Sequence, residues 1–444
     1  MAVTAAAVAA LTAALFGANA NAGPIRASAR TAAARPAASD TAGSGTRASG
    51  TTAAGTAAPR TAAPQTAAAH TPNGANGAQA VAALQNPAAT SALGLAPESA
   101  VVSALSARQL AGQRVIYGYS GAKPPASLLS LIRHGDAGGV IFFSGNYKNR
   151  SQFTAAVKKL EAANSAATNP TRKYPLLLMT DQEGGLVRRL PGAPVHSQKW
   201  IGARATGTSR ATQARKAGAG AAANLRSYGL NVNLAPVLDV YRSAGDFDDK
   251  YQRSYSKNRQ VVSTLGADFI RAQQSGGVAA AAKHFPGLGA ATASQNTDVR
   301  PVTIRLSKSA IQRTDEYPYT AAIGAQVDLV MVSWAVYPNL GSRRPAGLAP
   351  AIVQGQLRSR LGFKGVTITD AIGAGALAGY GSTQNRALKA AEAGMQLILA
   401  SDSVGQGTQC LAGLKTGYSD GSLPQAAFRS TVDQILALRK TLNP

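Results

Sequence analysis

Two short stretches of the sequence place chemically active side chains directly after apolar runs. Residues 281–289 read Ala-Ala-Lys-His-Phe-Pro-Gly-Leu-Gly, so Lys283 and His284 follow an apolar run and precede a Pro-Gly turn. A second run, residues 365–369, is followed by Asp370. Side chains at the point where a buried strand gives way to a loop are held rigidly and still face solvent. These residues therefore predict a binding or catalytic site at strand ends.

Two further apolar runs also end in acidic residues. One is followed by Asp181, a pair of glycines and Arg189; another ends at Asp239, with Arg253 in the loop beyond it. Asp181 could contact a ligand or cap a helix, and Asp239 could contact a ligand or support a Lys or Arg. Together these side chains predict a polar pocket that binds a polyhydroxylated ligand through charge-assisted hydrogen bonds. Asp370 is the candidate for covalent or electrostatic catalysis there.

Alternating strands and helices must position these residues. Eight continuous apolar runs are typical of strands buried on both faces: residues 114–118, 139–143, 176–180, 232–237, 278–281, 329–333, 365–369 and 395–399. Candidate helices with a 3.6-residue apolar period lie between or after them: residues 152–163, 212–228, 261–274, 307–323, 352–361 and 425–439. This alternation predicts an α/β fold, a (β/α)₈ TIM-like barrel with its chemistry at the carboxyl ends of the strands. The alternative is a doubly wound open sheet. Its dinucleotide-binding form is disfavoured because no G-x-G-x-x-G follows a run.

The composition divides the chain into three parts. Residues 1–22 form an uncharged, Ala-rich run ending in an Ala-x-Ala pattern, which predicts a signal peptide. No Lys or Arg precedes the run, so the natural start is expected upstream; the alternative, a membrane anchor, is disfavoured because Ala spans a bilayer poorly. Residues 23–95 are mostly Ala, Thr, Gly, Ser and Pro, which predicts a disordered linker. Residues 96–444 are the predicted barrel.

The charge and the few cysteines and histidines limit the partners. The 444 residues include 45 Lys and Arg against 20 Asp and Glu, a formal charge of +25. We expect an anionic cell wall as a neighbour rather than nucleic acid, because no nucleic-acid-binding motif is present. The single cysteine, Cys410, excludes an internal disulfide, and the four histidines lack metal-ligand spacing. We therefore predict a secreted or wall-associated protein with no metal and no cofactor.

Four motifs in order resemble glycoside hydrolase family 3, in particular its single-barrel bacterial β-N-acetylglucosaminidase (β-hexosaminidase) branch. They are residues 181–185, 235–240, 283–287 and 368–371, and the resemblance extends from about residue 100 to the end. It implies a retaining hydrolase with Asp370 as the nucleophile and a carbohydrate substrate containing N-acetylglucosamine, for example one derived from peptidoglycan. The residues that it implies for holding the sugar are Asp181, Arg189, Arg253, Lys283 and His284. At Arg253 the motif reads Arg-Ser-Tyr-Ser, where the family more often has Arg-Ser-Phe-Gly.

The loop after residue 287 departs from that branch. There the motif continues with His-Gly-Asp-Thr and then Asp-Ser-His, whose Asp and His form the general acid/base dyad. Here the two positions read Ser294 and Asn296, neither of which can deliver a proton near neutral pH. Four explanations are open. Asp298 or Glu183 replaces the missing acid, only substrates with good leaving groups are cleaved, or the chain binds sugar without hydrolysing it.

The leading hypothesis from the sequence is therefore an exported family-3-like glycoside hydrolase that acts through a covalent glycosyl-enzyme on Asp370. The alternative is a catalytically impaired, wall-associated sugar-binding protein on the same fold.

Overall fold

The computed structural model describes residues 99–204 and 207–442, which contain a closed barrel of eight parallel strands. The predicted signal peptide (residues 1–22) and linker (residues 23–95) lie outside the described residues. The barrel strands are β1 Val115–Tyr117, β2 Gly139–Phe142, β3 Leu177–Thr180, β6 Val232–Asn233, β7 Ala279–Phe285, β8 Leu329–Val332, β9 Val366–Ala371 and β10 Leu397–Ala400. A hairpin of β4 Gln182–Gly184 and β5 Val187–Arg188 follows β3.

Neighbouring strands in the barrel are neighbours in the chain, and β1 pairs with β10 to close it. The longer α-helices are Ala126–Arg133, Arg150–Asn164, Gly207–Arg226, Arg259–Ser275, Tyr317–Gly324, Thr383–Glu392, Val404–Ser419 and Gln425–Thr441. Shorter α-helical segments are Ala100–Ser103, Ala107–Gly112, Gln198–Gly202, Phe247–Lys250 and Lys308–Ala310. Two π-helical segments are Ile311–Asp315 and Ala351–Arg360, and 3₁₀ turns lie at Ser144–Asn146, Pro338–Leu340, Ala346–Leu348 and Gly375–Tyr380. The predicted (β/α)₈ barrel is confirmed.

The barrel interior is apolar near the amino ends of the strands, and the C-terminal helix Gln425–Thr441 closes that end. Ile435 and Leu438 of that helix, with Leu442 after it, pack into the cluster formed by inward-facing strand residues such as Ile116 and Leu397. Arg439 is buried beside them, and its guanidinium donates to the carbonyls of the chain near residue 175. No helix among the described residues could span a bilayer. The C-terminal helix thus covers the amino end of the barrel, and chemistry is expected at the carboxyl end of the strands.

Strand β7 extends further than the sequence predicts. The apolar run was expected to end before Lys283, whereas β7 continues through Phe285. The register against β8 shifts between Ala282 and Phe285, and Lys283 forms a bridge with Val237 instead. Lys283 and His284 thus lie in the strand itself, fixed by backbone pairing on both sides. Their side chains are correspondingly more rigid than side chains of a loop would be.

Candidate active site

All seven residues that the sequence predicts for the site line one pocket at the carboxyl end of the barrel. Its empty volume is about 710 Å³, including the part open to solvent. Glu183, from the hairpin after β3, lines it as well. The predicted residues in it are Asp181, Arg189, Arg253, Lys283, His284, Asp298 and Asp370.

The floor of the pocket is built on a buried lysine. Lys283 Nζ lies 2.7 Å from Asp181 Oδ1 and 2.8 Å from Glu183 Oε1. Burial alone would lower the pKa of Lys283, but the charges of Asp181 and Glu183 outweigh it and raise that pKa. Burial would likewise raise the pKa of Asp181, but Lys283 and Arg189 lower it. Both groups therefore stay ionised and present a fixed ion pair to a ligand.

Arg253 connects Glu183 in the pocket floor to Asp248 in the helix Phe247–Lys250. Its Nε and Nη2 donate to both oxygens of Glu183, at 2.9 and 2.8 Å, and its Nη1 lies 3.1 Å from Asp248 Oδ1. Burial would raise the pKa of Glu183, but Arg253 and Lys283 hold it far below its usual range. A carboxyl group held ionised in this way is poorly suited to donate a proton, which disfavours Glu183 as the replacement acid.

His284 is a neutral hydrogen-bonding group. Its Nδ1 lies 2.7 Å from Asp239 Oδ2 and its Nε2 lies 3.3 Å from Arg253 Nη2. Because a guanidinium can only donate, Nε2 accepts and Nδ1 carries the hydrogen that is donated to Asp239. Burial, followed by the charge of Arg253, lowers the pKa of His284 to about 4. Asp239 does not line the pocket. It supports a neighbouring side chain, but that side chain is His284 and not the predicted Lys or Arg.

Arg189 has a side-chain nitrogen, Nε, that makes no hydrogen bond among the described residues. Its Nε lies 3.7 Å from Asp181 Oδ2, which is too long for a hydrogen bond. That buried nitrogen has no hydrogen-bond partner in the described part of the chain. A buried donor without a partner is costly, so Arg189 is suited to donate to a ligand in the pocket.

Asp370 lies at the end of β9, where the backbone fixes its carboxylate. The amide of Ala371 donates to Asp370 Oδ1 at 2.7 Å. The indole Nε1 of the buried Trp334 donates to the carbonyl of Ala371 at 2.8 Å. The carboxylate is half-buried and faces the pocket, so a ligand there can reach it.

Asn296 presents Asp298 to the pocket. The amide of Asp298 donates to Asn296 Oδ1 at 2.9 Å, a local turn that aims the following side chain. The carbonyl oxygens of Thr297 and Asp298 accept from the amides of Ala376 and Gly375, at 3.0 and 2.7 Å. Those amides follow β9, the strand that carries Asp370, so backbone hydrogen bonds hold Asp298 on the same side of the pocket.

The surroundings of Asp298 favour its protonated form. Burial, and then the negative charge of Asp370, raise the pKa of Asp298 to about 7, while Arg253 opposes the shift. Ser294 and Asn296, at the dyad positions of the resembled branch, do not line the pocket, and Ser294 is exposed. Two carboxyl groups in one pocket, one of them kept protonated near pH 7, can act as an acid and a nucleophile.

Asp239, Asp248 and His284 are the residues that could surround a cation, since each offers a ligand atom within 4.8 Å of the others. The donor set does not suit one. Arg253 already places its positive charge within hydrogen-bonding distance of Asp248 and His284. His284 Nδ1 carries a hydrogen, so it has no lone pair to offer there. We describe these three residues as a hydrogen-bonded cluster.

Sequence reasoning did not find Asp248. It lies in the short helix Phe247–Lys250, in a run reading Asp-Phe-Asp-Asp-Lys that is typical of an exposed loop. Asp248 is nevertheless buried, because the chain folds it under Arg253. No local pattern in the sequence distinguishes Asp248 from the neighbouring acidic residues.

Comparison with known proteins gives consistent results. The description "Glycosyl hydrolase family 3 N terminal domain" matches residues 105–438. A protein of Arthroderma benhamiae named "Uncharacterized secreted glycosyl hydrolase" is 42% identical over 350 residues, 79% of this chain and 98% of that protein. A beta-hexosaminidase of Xanthomonas oryzae pv. oryzae is 32% identical over 295 residues, 64% of this chain and 82% of its own length.

Two solved structures are also similar. A family 3 β-N-acetylglucosaminidase from Paenibacillus sp. superposes with a TM-score of 0.71 at 30% identity. The superposition covers 76% of this chain and 63% of that one, so this chain spans less than two thirds of its length. A β-N-acetylhexosaminidase from Beutenbergia cavernae gives a TM-score of 0.68 at 28% identity, covering 76% of this chain and 98% of the other.

Proposed function

This chain belongs to glycosyl hydrolase family 3, and on that premise we propose that it cleaves β-linked N-acetylhexosaminides with Asp370 as the nucleophile and Asp298 as the acid and base. The named β-hexosaminidase relatives support the substrate class. One observation carries the assignment of the two acids. Backbone hydrogen bonds hold Asp298 beside the segment that follows Asp370, and both carboxyl groups face one pocket.

The sugar is held by the charged floor of the pocket. Asp181 accepts hydrogen bonds from ring hydroxyls, and the unpaired Nε of Arg189 donates to a sugar oxygen. The neutral His284 accepts from Arg253 through Nε2 and so holds that guanidinium near the same ring. Because these groups are ion-paired or packed before a ligand arrives, little side-chain entropy is lost on binding.

In the first step the Asp370 carboxylate attacks the anomeric carbon and forms a C–O bond. The bond from that carbon to the leaving oxygen breaks, and Asp298 gives its proton to the leaving oxygen. In the second step Asp298, now ionised, takes a proton from water as the water oxygen attacks the anomeric carbon. The bond to Asp370 breaks, the sugar leaves with retained configuration, and Asp298 is protonated again.

Export and wall association are part of the proposal. The relative from Arthroderma benhamiae carries "secreted" in its name, and the formal charge of +25 suits an anionic polymer as a neighbour. Material derived from peptidoglycan, which contains N-acetylglucosamine, is the substrate that these two features favour.

The second candidate is a sugar-binding protein with impaired catalysis, and the replacement of both dyad residues by Ser294 and Asn296 favours it. Turnover of 4-nitrophenyl β-N-acetylglucosaminide, followed by proton NMR, separates the two. We expect hydrolysis with the β-anomer as the first product. Binding of chitooligosaccharides by calorimetry without turnover of the aryl glycoside would favour the second candidate instead.

Replacing Asn296 by Ala tests the presentation of Asp298. The variant loses the hydrogen bond to the Asp298 amide, worth about 1 kcal/mol, so kcat/KM on a disaccharide is expected to fall about fivefold to tenfold. A dinitrophenyl glycoside, whose leaving group needs little protonation, is expected to change less than about threefold. The matched control is Ser294→Ala, which alters an exposed side chain of the same loop. Equal losses on both substrates would contradict this role for Asn296.

A further inference from the structure

Asp248 has a buried carboxyl oxygen that no donor reaches. Its side chain is fully buried, and Oδ1 lies 3.1 Å from Arg253 Nη1. Oδ2 is also buried and has no hydrogen-bond partner among the described residues. A carboxyl oxygen of Asp248 and one of Asp239 lie within 4.8 Å of one another. Two ionised carboxylates in that position would repel one another in a buried site.

A single proton between the two carboxyl groups removes their repulsion and also gives the unpartnered Oδ2 of Asp248 a hydrogen bond. We propose that Asp248 is a positioning residue that shares one proton with Asp239 and so holds His284 neutral, with its Nε2 accepting from Arg253 in the pocket. Asp248 does not line the pocket itself. It acts through Asp239, which in turn holds His284 Nδ1 at 2.7 Å.

The hydrogen-bond partners indicate which carboxyl group carries the proton. Asp239 accepts from the amide of Leu288 at 2.5 Å and from His284 Nδ1, both of which favour its ionised form. Asp248 has only Arg253. Burial, and then the charge of Asp239, raise the pKa of Asp248 to about 7, with Arg253 and His284 opposing. The proton therefore lies on Asp248 below about pH 7.

Among the described residues around Asp248, His284 on β7 has a pKa of about 4, and Arg253 has a pKa raised well above its usual value. Tyr319 and Tyr337, which interact with the charge of Asp248, have pKa values raised well above the usual range of tyrosine. Burial raises the pKa of Asp239. Burial also raises the pKa of Asp315, which interacts with Asp239, to about 7, although Arg242 opposes that shift. The titration of Asp248 must therefore be separated from that of Asp315 by a control variant.

Loss of this proton weakens the site. Above about pH 7 the two carboxylates repel one another, and the Asp239–His284 hydrogen bond loses the geometry that aims Nε2 at Arg253, which lines the pocket. That Arg253 and His284 hold a sugar rests on the proposed function; the shared proton itself does not. We expect sugar affinity to fall as pH rises through about 7.

Imidazole NMR of the full chain tests the shared proton without any need for turnover. With four histidines in the sequence, the His284 ring can be assigned by comparing single His→Gln variants. Between pH 5.5 and 8.5 its ¹⁵N shifts are expected to keep the neutral Nδ1–H pattern and to show one small step near pH 7. That step is expected to vanish in Asp248→Asn, which mimics the protonated acid.

Three control variants isolate the source of the step. Asp249→Asn removes a neighbouring buried carboxylate that pairs with Lys199 at 2.8 Å, whereas Asp298→Asn and Asp315→Asn each remove another acid whose pKa is raised to about 7. The step is expected to persist in all three. A step that survives in Asp248→Asn, a wild-type protein with no step, or conversion of His284 to imidazolium in this range would each overturn the proposal. An inactive protein that still showed the Asp248-dependent step would contradict only the proposed function.

Urea unfolding provides a second measurement. The pKa of Asp248 is raised on folding, so its stabilising contribution is present below about pH 4 and is lost as pH rises to about 7. The Asn in the Asp248→Asn variant does not titrate, so this variant does not lose that stabilising contribution as pH rises. Relative to the wild type, its stability is expected to increase steadily from pH 4 to pH 7; a constant difference would overturn the proposal.

Discussion

Replacing Asp370 by Asn is expected to lower kcat/KM on 4-nitrophenyl β-N-acetylglucosaminide by about 10⁴-fold or more, the scale seen when a nucleophile is removed. An amide oxygen is a far weaker nucleophile than a carboxylate, and the amide lacks the negative charge that stabilises the cationic transition state. The loss is expected for good and poor leaving groups alike, because both need the new bond to the anomeric carbon. Steady-state kinetics on the two substrate types measures it.

The matched control for this variant is Asp402→Asn. Asp402 follows β10, the neighbouring strand, but it is exposed and does not line the pocket. Its replacement is expected to leave kcat/KM within about twofold, as is usual for surface substitutions. Activity that survives in Asp370→Asn at more than a few per cent of the wild-type value would remove Asp370 from the nucleophile's role.

Replacing Asp298 by Asn is expected to produce a loss that depends on the leaving group. General acid catalysis contributes about 10²–10⁴-fold, so kcat/KM on a disaccharide is expected to fall by that factor. On a dinitrophenyl glycoside the first step needs no proton, and kcat/KM is expected to fall less than about tenfold. Added azide, a nucleophile that needs no base, is expected to restore part of kcat and to yield a glycosyl azide. Equal losses on both substrates would contradict the assignment.

The pH profile gives a second signature of Asp298. The first step requires its protonated form, so kcat/KM on the disaccharide is expected to decline as pH rises through about 7, the pKa to which burial and Asp370 raise this group. In Asp298→Asn the part of this decline that comes from the acid is expected to disappear for the disaccharide, while the part that comes from Asp248 remains. Comparing Asp298→Asn with Asp248→Asn separates the titration of Asp298 from that of Asp248. Asp248 acts on binding, so its effect is the same whatever the leaving group.

The strand pattern could be predicted from the sequence because parallel barrel strands are buried on both faces. All eight apolar runs correspond to strands, and the helix Arg259–Ser275 agrees with its prediction within two residues at each end. The helices Thr383–Glu392 and Val404–Ser419 were not predicted. The second is rich in Gly and polar residues, and its packing against the helices Thr383–Glu392 and Ala107–Gly112 and against β1 and β10 offsets its low helix propensity.

The members of the candidate site could be predicted because each follows a strand or lies in a motif, and the barrel brings strand ends together. Their interactions could not. That Asn296 caps the turn before Asp298 depends on the path of a loop, and that Glu183 is locked between Lys283 and Arg253 depends on three separate segments meeting. Asp248 was missed because its burial depends on how the loop around it folds. Contacts that are set by the tertiary structure leave no period or spacing in a single sequence.

The most direct measurement is covalent labelling by a dinitrophenyl 2-deoxy-2-fluoroglycoside. The fluorine slows both steps, while the good leaving group keeps the first faster than the second, so the glycosyl-enzyme accumulates. Intact-mass spectrometry is expected to show one added sugar, and peptide mapping is expected to place it on Asp370, with no label in Asp370→Asn. Label on another carboxylate, or steady hydrolysis of the natural glycoside by a protein that never becomes labelled, would contradict the account.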